Sequence, residues 1–238
     1  MSVRAYLRCP VAIAWTLAGV LAVGAVVVAA FRIVALAGRS PLVAVSPTAA
    51  AEFVLAVVFA TVVIAVAVLV WLPCSLAVAY AVGSRIRGES ASLADSIDRV
   101  GSRTEPLYRW VKTRVAVGPV ADRILSEEDV SPAEVAVGCD GFVIPALALE
   151  APTLPAAVGR ANRAVPQPGR ERVLLAGAGL TGLLAAGGVA VGTVGGAVPL
   201  STELLAAGGG VVGAILTVAL DTAWRTGGYA DQDLEEGF

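Results

Sequence analysis

Histidine is absent from the 238 residues, lysine occurs once (Lys112), methionine once and cysteine three times. The missing imidazole removes the commonest general base and the commonest metal ligand, and it excludes a Ser-His pair. Cys9, Cys74 and Cys139 stand far apart with no C-x-x-C spacing, which argues against a zinc site or dithiol motif. Cys9 and Cys74 adjoin or lie in apolar runs, where a free cysteine usually serves as a small hydrophobe. Charge is scarce too. Only 15% of residues are charged, against about 25% in a soluble domain. The net charge of −2 gives no general attraction to nucleic acid.

What fills the chain instead is Ala, Val and Leu, with 26 glycines and a hydrophobic share of 57%; the mean hydropathy is +0.81. Four stretches carry no charge: 23 residues between Arg8 and Arg32, 32 between Glu52 and Arg85, 30 between Arg172 and Glu203, and 17 between Glu203 and Asp221. A membrane-spanning helix needs about 20 apolar residues. The pattern predicts an all-α integral membrane bundle with about four transmembrane helices, spanning about 11–32, 52–82, 173–195 and 203–222. Arg4 and Arg8 resemble the n-region of a signal peptide, but Val11 to Phe31 is longer than the roughly 7–15 residues of a signal h-region, so a retained helix is expected. Ser46-Pro47 offers an N-cap and a first-turn proline to the second span. Pro73 predicts a kink after about Leu72, with Trp71 and Tyr80 either near a membrane interface or packed on neighbouring helices.

Basic residues set the expected orientation. Twelve of the seventeen lie between Arg85 and Arg172; the first connection holds only Arg39 and the connection around Pro199 none. Both termini and the middle segment are therefore expected to be cytoplasmic, in a multi-pass protein of the cell membrane. The chain divides into an N-terminal transmembrane pair (1–84), an amphipathic cytoplasmic or interfacial segment (85–170), a C-terminal pair (171–225) and an acidic tail expected to be disordered (226–238). In the middle segment Ser92 and Asp95 form an N-cap and acid three residues apart. Leu93, Ile97, Val100, Thr104, Leu107, Val111 and Val115 then recur at helical spacing. Pro106 is expected to break this helix in two. Its other face carries Arg99, Arg103, Arg109, Lys112 and Arg114. It suits either an anionic membrane surface or, the favoured reading, a solvated face over a stripe buried on the protein's own helices. Ser131-Pro132 and Glu134 mark a further helix start. Gly141 to Leu149 is apolar but too short to span, and predicts a re-entrant or interfacial segment.

Gly177-Ala-Gly179-Leu-Thr-Gly182 matches the dinucleotide fingerprint G-x-G-x-x-G, and Glu203 falls 21 residues after Gly182, near the expected ribose-binding acid. The helix that follows does not fit. Leu183 to Leu200 contains no charge, whereas a surface helix of an α/β domain needs a polar face. The glycines have another use. Gly188, Gly192 and Gly196 are spaced by four, as are Gly209 and Gly213, which lets helix backbones approach closely. The expected partners of these faces are each other, a second subunit or another membrane protein.

The series "AYAVGSRIRGESASLADSIDRV", "YRWVKTRVAVG" and "FVIPALALEAPTLPAAVGRANR", from Ala79 to Arg163, resembles a family of prokaryotic multi-pass membrane proteins known only as a domain of unknown function. The resemblance covers a third of the chain and implies a membrane protein, with no reaction attached. Read from the residues, the chain has no catalytic, cofactor-binding or metal-binding set. Asp140, Glu150 and Asp221 are the carboxylates a membrane-bound enzyme would have to use; headgroup-level placement of Asp140 and Glu150, and an ion pair of Asp221 with Arg225, are the expected roles. The favoured function is a non-enzymatic scaffold or subunit binding partners through the middle segment. The alternative is a transporter or channel component for a small or hydrophobic solute.

Overall fold

The computed structural model describes residues 2–37, 49–115, 140–161, 163–164, 169–194 and 202–236. Within them the chain is helical, with no strand. The helices are α1 (Ser2–Leu7), α2 (Pro10–Ala37), α3 (Ala49–Ile86), α4 (Leu93–Val115), α5 (Asp140–Leu149), α6 (Leu154–Ala161), α7 (Arg170–Val194) and α8 (Thr202–Glu236). Four of them are long and apolar enough to cross a membrane: Pro10–Val34, Val54–Ile86, Arg170–Val191 and Leu205–Asp231. The chain is therefore a four-span helical membrane bundle. Ser46-Pro47, Ser131 to Glu134, Cys139 and Gly196 lie outside the described residues.

All four spanning helices outrun the hydrocarbon core, α3 and α8 by the most. At 1.5 Å per residue, α3 is about 57 Å long and α8 about 52 Å, against a hydrocarbon core of about 30 Å. The excess gathers at one end, called the charged end below. There the second half of α3 packs with α4, α5, α6 and the second half of α8. Leu76, Ala79, Leu107, Val143, Leu147, Ala157 and Ala230 meet in one apolar core. A second core joins α1 and α2 to α3 and α8 through Cys9, Ala12, Trp71, Val78, Ile215 and Ala219. α1 is pinned by the Tyr6 hydroxyl, which donates to Thr16 Oγ1 at 2.8 Å; burial pushes that phenol above its ordinary pKa.

α3 runs through Pro73 without interruption. Proline has no N–H to donate to the carbonyl four residues earlier, and that carbonyl, Leu69 O, accepts instead from the Tyr108 hydroxyl of α4 at 3.1 Å. The helix then ends in a Schellman turn: Glu89 N donates to Ser84 O at 2.8 Å and Gly88 N to Arg85 O at 3.3 Å. Gly88 sits at φ +80°, a conformation that costs glycine nothing. α4 starts on the anticipated capping box, with Asp95 N donating to Ser92 Oγ (3.1 Å) and Ser92 N to Asp95 Oδ2 (3.1 Å).

α7 and α8 form the tightest pair. A Cβ on Gly188 would fall on the Leu205 carbonyl, and one on Gly209 on the Leu184 carbonyl. Gly213 lies against Thr181, Gly177 against Thr217, and the two threonine hydroxyls are 3.3 Å apart.

Several expectations are corrected. Pro106 does not break α4, which is continuous from Leu93 to Val115; its ring only forfeits one hydrogen bond in a helix held on both sides of it. Residues 140–149 form a short helix packed among α3, α4, α6 and α8, so protein covers their backbone. The tail is not disordered from 226, because α8 continues to Glu236. Thr226, Tyr229 and Ala230 are buried there, and that packing stabilises a segment whose composition alone would not. The apolar stripe of α4 is buried at Leu107 but exposed at Leu93 and Ile97. At that end Ser96 is the buried residue, accepting from Trp15 Nε1 at 2.8 Å.

Candidate functional site at the charged end

Glu150 follows the last turn of α5, where Ala151 N reaches back to Ala146 O at 2.8 Å. Its carboxylate is 13% exposed and ion-paired on one oxygen with Arg87 and on the other with Arg160. The Tyr229 hydroxyl donates to Oε2 at 3.0 Å. Three other segments converge on this one group. Arg87 comes from the Schellman turn of α3, Arg160 from the last turn of α6 and Tyr229 from α8. Gly83 makes room beneath the cluster, since a Cβ there would strike the Leu149 side chain.

The second carboxylate, Asp221 of α8, is 14% exposed. Arg170, at the start of α7, donates to Oδ1 at 2.8 Å and to Oδ2 at 3.3 Å. Arg225, one turn on, donates to Oδ2 at 2.8 Å. Gly169, at φ +98°, turns the chain into α7 beside Trp224. Both sites follow one design: a mostly buried carboxylate between two guanidiniums, with three donors on its two oxygens. Such groups fix geometry.

The residues singled out in the sequence fall as follows. Glu150 is buried in protein, held by three side chains. Asp221 makes the expected pair with Arg225 and a further one with Arg170. Asp140 begins α5, away from both sites in the chain. Of the nucleotide-like glycines, Gly177 is a helix-contact position, whereas Gly179 and Gly182 face open space; all three lie in mid-helix, with no strand among the described residues. Gly188, Gly209 and Gly213 are taken up by the α7–α8 contact, and Gly192 lies on α7. Trp71 is buried against Gly19 of α2, and Tyr80 lies 5.2 Å from the Arg99 guanidinium carbon. Among the described residues, no cluster of three His, Cys, Asp or Glu could hold a metal. An open groove of 370 Å³ lies between α4 and the α5–α6 turn, lined by Glu105, Pro106, Arg109, Thr153, Leu154 and Pro155.

Sequence reading missed Arg87, Arg160 and Tyr229 as partners of Glu150. They lie 63, 10 and 79 residues from it, and no local spacing links them.

Comparisons of this chain with protein-family models, with curated proteins and with solved structures find no match.

Proposed function

We propose that this is a non-enzymatic membrane scaffold or subunit whose charged end is a preformed platform for a protein partner. The observation that carries the reading is the Glu150 cluster. It ties α3, α5, α6 and α8 together at the end of the bundle that holds most of the basic residues, so that Arg109, Lys112 and Arg163 are displayed, exposed, on a fixed frame. A surface whose backbone is already ordered loses less entropy when a partner docks. The positive-inside rule places this end in the cytoplasm and with it both termini. Membership of the prokaryotic multi-pass family is proposed on residues 79–163 alone.

The test is site-directed photocrosslinking in intact cells, with the reactive group at Arg109, Lys112 or Arg163 and, as controls, at the lipid-facing Leu55 and Leu183. A discrete protein adduct from the charged-end positions, lost in a Glu150→Ala chain, supports the platform. No adduct, together with solute-dependent flux from liposomes holding the purified chain, replaces it with the transporter reading.

A further inference from the structure

We propose that Arg99 and Arg103 of α4 form a binding site for a phosphate group, occupied by the headgroup of an anionic phospholipid at the membrane boundary. The site lies apart from the Glu150 cluster and does not depend on the platform reading.

The two guanidiniums sit one turn apart on the same side of α4. Neither meets a carboxylate among the described residues. Arg99 lies over the Tyr80 ring, 5.2 Å from its centroid. Arg103 has its Nε buried and without a hydrogen-bond partner. The acids of α4 are committed elsewhere or point elsewhere. Asp95 is held by Ser92 at 2.6 Å, and Glu105 lies 3.9 Å from Arg109. Asp98 is exposed and about 100° around the helix from Arg99. Burial, and then the neighbouring charge of Arg99, lower the pKa of Arg103. Two like charges and a stranded N–H donor ask for an anion with several acceptor oxygens, and a planar guanidinium matches phosphate well.

The neighbouring helix favours a lipid as the source. Tyr80, under Arg99, and Leu69, which accepts from the Tyr108 hydroxyl, both belong to the apolar span Val54–Ile86. The two guanidiniums therefore stand against a membrane-spanning helix, where an anionic headgroup is the nearest source of phosphate oxygens.

The experiment reconstitutes the full chain in bilayers of equal parts dioleoyl-phosphatidylglycerol and dioleoyl-phosphatidylcholine. The protein is then exchanged into mild detergent, and the retained lipid is read by native mass spectrometry. Retention of phosphatidylglycerol over phosphatidylcholine is expected for the natural chain. Arg103→Gln should reduce it about tenfold, as loss of a charged hydrogen bond would. Arg99→Gln should also reduce it, Arg103→Lys should retain part of it, and Arg172→Gln, at an exposed arginine of α7, should leave it unchanged. Each variant is first shown to unfold at the natural midpoint in phosphatidylcholine alone; should Arg103→Gln fail that control, Arg99→Gln and Arg103→Lys carry the test. Equal retention in the natural chain and the glutamine variants, or equal loss in Arg172→Gln, overturns the site. In a second arm inorganic phosphate is added to the delipidated protein. Stabilisation by phosphate equal to that by phosphatidylglycerol overturns the lipid as occupant.

Discussion

The two halves of α3 belong to one uncharged run and have opposite surroundings. From Val54 to Val70 no residue is buried; from Trp71 to Ser84 only Pro73 and Tyr80 escape burial. The first half is mostly Val, Leu, Ile and Phe, large side chains suited to fluid lipid, with Ala56, Ala60, Thr61, Ala65 and Ala67 between them. The second is richer in small residues: Cys74, Ser75, Ala77, Ala79, Ala81, Gly83 and Ser84 let α5, α2 and α8 approach. Hydropathy reports that a segment avoids water. Side-chain size reports whether it meets lipid or protein, because close helix packing in a membrane depends on small residues.

The sharpest way to break this contrast is at the charged end. Glu150→Ala removes the carboxylate that Arg87, Arg160 and the Tyr229 hydroxyl share, and should cost about 3–5 kcal/mol. Unfolding in mild detergent measures it, and an unmoved midpoint would show that the cluster holds nothing together. Paired truncations in α3 come next. Leu76→Ala, at a site with no exposure, should cost about 2–5 kcal/mol, whereas Leu55→Ala, at 64% exposed, should stay within about 0.5 kcal/mol. Equal costs would abolish the distinction between the halves. The same logic applies to α7. Gly188→Ile overpacks a backbone contact and should cost about 1–3 kcal/mol, while Gly179→Ile, facing open space, should be nearly silent; loss of a disulfide engineered between α7 and α8 would report the opening. Tyr108→Phe removes the acceptor's substitute donor at Leu69, a loss of about 1 kcal/mol, visible as faster amide exchange near Pro73. The smallest effect is acid dependence at Asp95. Its bonds to Ser92 hold the carboxyl below the ordinary 3.8. Because the folded value is the lower one, the cap's contribution is complete above the unfolded pKa and fades as pH falls through the folded one. Ser92→Ala should flatten that acid limb in a pH titration of α4 helicity.

The four spans were legible because each is a local run: about twenty neutral residues need no knowledge of the rest of the chain. The Ser92–Asp95 box was legible for the same reason, being closed within three residues. The glycines at 188, 209 and 213 were readable as a packing face, and the fold pairs them within the chain. Glu150 was visible as a carboxylate in apolar company, but its partners depend on α3, α6 and α8 arriving at one place, which no spacing encodes. The helical tail failed for a related reason. Asp231 and the acids after it read as solvated, whereas Tyr229 and Ala230 are anchored by helices distant in sequence. Pro106 misled because a proline's local cost was weighed without the contacts around Leu107 that offset it.

The phenol of Tyr108 mends the gap that Pro73 leaves in the backbone of α3, and it does so from a different helix. The bond ties α4 to α3 at the one turn where the helix's own ladder is open. Any displacement of α4 must either drag α3 along or leave a bare carbonyl in the middle of an apolar helix.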